Sequence, residues 1–161
     1  MTPKEASTIL SDKLFKLTIG GGLVFWAVSI ATSLLPIAAE YRAAYSDWSI
    51  QTVWVASLPL GMIIGFGVSW FLLRYSDKIP SKNPMVKSGI ISFIALIIAV
   101  ILIDVPQSFF GMSSSSDALY YFLIGVMFNG ARFLLLGITI GYLYNERGHF
   151  KFKGDKNEFS Q

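Results

Sequence analysis

The chain has 161 residues, 53% of them hydrophobic and 14% charged, with a formal charge of +3. Its apolar residues gather in long blocks, which argues against a soluble domain. Of its thirteen Lys and Arg, all but Arg42 and Arg132 fall in three segments flanking those blocks, a distribution that membrane topology explains without nucleic acid. Zero cysteines exclude disulfides and thiol redox chemistry, and the one histidine, His149, lies beyond the last block, so neither a metal nor another cofactor is expected.

The blocks cover about 17–38, 51–73, 88–105 and 119–143, each close to the roughly 20 residues a helix needs to cross a hydrocarbon core about 30 Å thick. They predict an all-α fold, an integral membrane four-helix bundle forming a single domain over 1–161. The basic segments place the N-terminus, the middle loop and the C-terminal tail in the cytoplasm. The first block exceeds the h-region of a signal peptide, about 7 to 15 residues, and is read as a retained span.

Ahead of it, Thr2-Pro3-Lys4-Glu5 has the capping-box pattern of a helix start, and Ala6, Ile9, Leu10, Leu14 and Leu17 recur at helical spacing. Two readings stay open for this segment, an amphipathic helix lying at the inner interface or a solvated tail. Span one carries Gly20-Gly21-Gly22, suited to close helix approach or a bend, and Pro36 marks its outer end. The outer loop, about 39–50, holds Tyr41, Tyr45 and Trp48, aromatic rings that suit the headgroup region.

Span two presents Ser57, Gly61, Gly65 and Ser69 at intervals of four, a small-residue stripe on one face, and Pro59 predicts a kink. The inner loop sets Arg74, Lys78, Lys82 and Lys87 against Asp77, with Pro80 and Pro84 predicting turns without helix. Span three is rich in isoleucine and ends at Asp104; Pro106, Gly111 and the run Ser113 to Ser116 then form a connector. Span four is the longest, which predicts a tilt or a protruding inner end. It carries a second glycine pair, Gly137 and Gly141. Like Gly61 and Gly65, that pair serves either packing inside the bundle or a homo-oligomer, with internal packing favoured. The tail beyond it holds Arg147, Lys151, Lys153 and Lys156, which either touch anionic lipid or stay solvated.

One constellation opposes the hydrophobic trend. Arg132 lies near the middle of span four, where an arginine costs about 2.5 to 3.5 kcal/mol on insertion scales. Asn129 and Gly125 share its face, while Gly130, Gly137 and Gly141 fall on another. Helical side chains lean toward the N-terminus, so Arg132 is aimed at the outer leaflet, where Thr32, Ser33, Ser57 and Asp104 also belong. These residues make a candidate polar pocket for a carboxylate, a phosphate or a lipid headgroup, with Arg132 as its positive floor. The alternatives are an internal Arg132–Asp104 ion pair, or snorkelling or pairing of Arg132 with another membrane protein.

No paired acids, activated nucleophile or histidine cluster lies within the spans, so the sequence leans against an enzyme. An intramembrane carboxylate in span one, which a small proton-coupled four-helix exporter would need, is missing. The leading expectation is a non-enzymatic membrane module that assembles with or regulates a partner. The alternative is a small oligomeric transporter or binding protein for an anionic or zwitterionic molecule. A multi-pass protein of a prokaryotic plasma membrane suits the short loops and the lack of any Asn-x-Ser/Thr site.

Overall fold

The computed structural model describes the backbone of residues 3–45, 48–109 and 117–154, and side chains within those stretches except 3–7, 45, 107 and 146–154. The Thr2 cap, the Glu5 side chain, the 113–116 serine run and the side chains of the basic tail lie outside the described residues. Six α-helices follow in order among the described residues: α1 (Pro3–Ser33), α2 (Pro36–Tyr45), α3 (Ile50–Tyr75), α4 (Pro84–Ala99), α5 (Val105–Phe109) and α6 (Ala118–Gly154). A 3-10 turn, Ser76–Lys78, follows α3, and a π-helical segment, Val100–Asp104, joins α4 to α5.

Four stretches are long and apolar enough to cross a membrane: Thr8–Ser33, Ile50–Lys78, Pro84–Asp104 and Ala118–Asn145. They alternate in direction and pack as two hairpins, α1 on α3 and α4 on α6, with α1 also against α6 and α3 against α4. The bundle therefore has an end carrying α2 and an opposite, basic end carrying the 76–83 connection. Its core runs through Leu17, Phe25, Val68, Leu72, Phe133, Leu136 and Ile140. Phe25 and Phe133 meet edge to face across it, their centroids 5.8 Å apart. Outside, the third span exposes Ile90, Phe93, Ile94, Ile97, Ile98, Ile101 and Leu102, an apolar surface suited to acyl chains and not to water.

Glycine sets the spacing within both hairpins. A Cβ on Gly65 would stand 2.9 Å from the Thr18 carbonyl and 3.0 Å from the Gly22 nitrogen, and one on Gly61 2.9 Å from the Gly22 carbonyl. Backbone thus meets backbone between α1 and α3. In the other hairpin a Cβ on Gly137 would reach Ser92 Oγ at 2.6 Å, and one on Gly141 the backbone of Met85. The triple glycine divides its work: Gly20 and Gly21 admit Leu143 and Ile140 of α6, whereas Gly22 admits Met62 of α3. Gly130, grouped by helical phase with Gly137 and Gly141, instead has open space where its Cβ would project.

Several boundaries differ from the sequence expectation, each for a local reason. The 39–50 loop is mostly helix, because Pro36 opens α2 at a position that needs no amide donor, and alanines continue it. α3 begins at a Ser49 cap, whose hydroxyl accepts from the Thr52 amide at 3.2 Å, and runs on through Pro59. Pro84, expected in a turn, starts α4 behind an Asn83 cap that accepts from the Met85 amide at 2.9 Å. Lys87 closes this connection by donating to the Ser76 carbonyl.

The π segment has the largest consequence for the site. Val105 donates its amide to the Val100 carbonyl, five residues back, just ahead of Pro106, whose ring would crowd the carbonyl of Leu102 in an ordinary helix. The inward face of the third span passes through Ser88, Ser92, Ala95 and Ala99, so an unbroken α-helix would next bury 102 or 103. The wide turn leaves Leu102 and Ile103 exposed and buries Asp104 to 3% exposure, with Ser108 one turn later.

Candidate functional site

At the α2 end, Asp104 is buried among helices and its carboxylate needs donors. Asn129 of α6 supplies them, its Nδ2 lying 3.1 and 2.9 Å from the two carboxylate oxygens. The other half of the amide faces the opposite way, and Asn129 Oδ1 accepts from Arg132 Nη1 at 3.1 Å. Asn129 therefore stands between the buried acid and the half-buried base, and the ion-pair arrangement considered from sequence takes the form of a relay with an amide in the middle.

Arg132 has two further contacts. Its Nη2 donates to Thr32 Oγ1 of α1 at 3.4 Å, and its guanidinium carbon lies 6.0 Å from the centre of the Phe25 ring. Thr32 is itself held by donating to the Val28 carbonyl at 2.9 Å. Arg132 Nε is buried and has no hydrogen-bond partner among the described residues. The hydrogen-bond acceptors of the guanidinium are thus an amide and a hydroxyl, both neutral, while the Asp104 carboxylate is linked to it through Asn129.

Beside the guanidinium is a cleft of about 170 Å³, lined by Thr32, Ser33, Asn129 and Arg132 together with Tyr41 and Arg42 of α2 and the ring of Phe128. Arg42 Nη1 donates to the Ser33 carbonyl at 3.3 Å, bringing a second cation to the same opening. Gly125 leaves room for Tyr41, since a Cβ there would lie 2.8 Å from the phenolic oxygen. Tyr41 also stacks edge to face on Phe128, 6.1 Å between centroids, and α2 is anchored on α6 through Ala38, Ile124 and Phe128.

The sequence-named residues thus separate. Thr32, Ser33, Asn129 and Arg132 line the cleft; Asp104 sits behind Asn129. Ser57 does not line it: its hydroxyl donates to the Trp54 carbonyl at 3.0 Å within α3. The Ser33 hydroxyl is committed too, donating to the Ile30 carbonyl and accepting from Trp54 Nε1, both at 2.7 Å. Gly61, Gly65, Gly137 and Gly141 lie in the two hairpin seams, where α1 and α4 already occupy them. Tyr41 and Arg42 join the site although the sequence expectation places them in a loop; Pro36 ahead of an alanine-rich stretch is the signal for the helix that carries them.

Among the described residues no group of three His, Asp or Glu side chains comes together as metal ligands would. A half-buried guanidinium, a second arginine at the rim and a phenol can bind an oxyanion by charge and hydrogen bonds. Comparison with protein-family models, with curated proteins and with solved structures gave no match.

Proposed function

We propose that the chain is a non-enzymatic membrane protein that binds the carboxylate or phosphate of a small molecule or lipid headgroup in the cleft at Arg132, on the side opposite the cytoplasm. The observation that carries this reading is the guanidinium itself: half-buried beside a cleft, with neutral hydrogen-bond acceptors, and with a buried Nε that has no hydrogen-bond partner among the described residues. A side chain kept only for register would be expected to have its donors satisfied. Arg42 at the rim adds charge of the same sign, so an anion gains from both. An assembly role through the glycine pairs is less well supported, because both pairs are engaged inside the bundle; a partner would have to use the exposed apolar face of the third span.

Native mass spectrometry of the protein extracted with its own lipid, beside Arg132→Leu and Arg42→Gln, tests this. An anionic adduct retained by the parent, weakened in Arg42→Gln and lost in a folded Arg132→Leu is the expected result. Identical spectra from all three folded proteins would overturn the reading.

A further inference from the structure

A second cleft opens at the basic end, between the first turns of the membrane part of α1 and the last turn of α3. It encloses about 350 Å³ and is lined by Leu10, Ser11 and Leu14 on one wall and Trp70, Leu73 and Arg74 on the other. Its composition is graded: three leucines form an apolar trough, and a hydroxyl, an indole and a guanidinium border it. Arg74 is exposed and has no hydrogen-bond or ionic partner among the described residues. Trp70, itself 42% exposed, belongs to an aromatic group in which Phe71 and Tyr75 stack 5.7 Å apart, with Lys78 Nζ 5.3 Å from the Tyr75 ring centre.

We propose that this cleft is a binding site for one acidic phospholipid, with the phosphate held by Arg74 and Ser11 and an acyl chain lying against Leu10, Leu14 and Leu73. A free phosphate would leave the leucine trough bare, whereas a lipid fills both parts. Charge selects the acidic class. At this end Lys13, Lys16, Arg74, Lys78, Lys82 and Lys87 face only Asp12 and Asp77 among the described side chains, and neither carboxylate lines the cleft. An indole at the border of apolar and polar lining suits the headgroup boundary. The site is separate from the Arg132 cleft and does not depend on it.

The test uses the full chain in phosphatidylcholine nanodiscs in which a rising share of the lipid is replaced by brominated phosphatidylglycerol or by brominated phosphatidylcholine. Tryptophan quenching is read as the difference between the parent and Trp70→Phe, which isolates Trp70 from Trp26, Trp48 and Trp54. The expected result is quenching by the acidic lipid at about fivefold lower mole fraction than by the zwitterionic one, the preference one basic contact supplies. Arg74→Gln should bring the two lipids to parity, while Arg74→Lys and Lys82→Gln should keep the preference. Equal quenching of the parent by both lipids would overturn the site. So would an equal loss of preference in Arg74→Gln and Lys82→Gln, since a diffuse basic surface would then account for it.

Discussion

The two hairpins are stitched at the α2 end in opposite ways. In the α1–α3 hairpin the stitch is neutral: Trp26 Nε1 donates to the Trp54 carbonyl at 2.9 Å, and Trp54 Nε1 donates to Ser33 Oγ at 2.7 Å. Each indole donor finds one acceptor and no charge is left over. In the α4–α6 hairpin the stitch is ionic: a carboxylate, an amide and a guanidinium in series, ending on a nitrogen with no partner among the described residues. Burial makes a charged relay more sensitive to the loss of a member than a neutral bond is. It also leaves a directed positive potential beside a cleft, which the indole stitch does not. The same end of one bundle therefore holds one contact suited to stability and one suited to recognition.

Removing the middle of the relay should have the largest effect. Asn129→Leu strips both donors from Asp104 and one acceptor from Arg132 and is expected to lower stability by about 3 kcal/mol, read as thermal unfolding in detergent. Next comes the α1–α3 seam, where Gly65→Ala forces a methyl between two stretches of backbone, with an expected loss of about 1–3 kcal/mol. Gly137→Ala meets mainly a serine side chain, so its loss should be nearer about 1 kcal/mol and Ser92→Gly should relieve it; no single side-chain change would relieve Gly65→Ala. Smallest of all, Trp54→Phe gives up one neutral hydrogen bond and should lower stability by about 1 kcal/mol or less. If Trp54→Phe proved as damaging as Asn129→Leu, the contrast between neutral and ionic stitches would fail.

Block length and hydropathy made the four apolar helices legible, because a membrane helix must satisfy its own backbone over a fixed thickness. The polar cluster of Arg132, Asn129 and Thr32 was legible for a related reason, that polar groups are conspicuous against so apolar a background. What the sequence reading lacked was phase and local capping. Ser57 shares a membrane depth with the cluster but spends its hydroxyl on its own helix, a choice that composition does not reveal. Arg42 has the sequence context of a loop charge, yet Pro36 opens a helix that brings it to the cleft. The inward turn of Asp104 depends on a five-residue hydrogen bond ahead of Pro106, which a search at a fixed period of 3.6 passes over.

The relay also bears on how the protein is made. A translocating segment with a central arginine partitions poorly into lipid when it arrives alone. Here the acid that partly offsets it lies at the end of the preceding span and the amide that joins them lies one turn away on the arriving helix, so this much of the compensation is carried within a single hairpin. Among the described residues, the first hairpin contributes the Thr32 hydroxyl and the face of the Phe25 ring. Retention of span three beside the exit site until span four emerges would thus set the efficiency of insertion, and the second half of the chain would enter the bilayer as one unit.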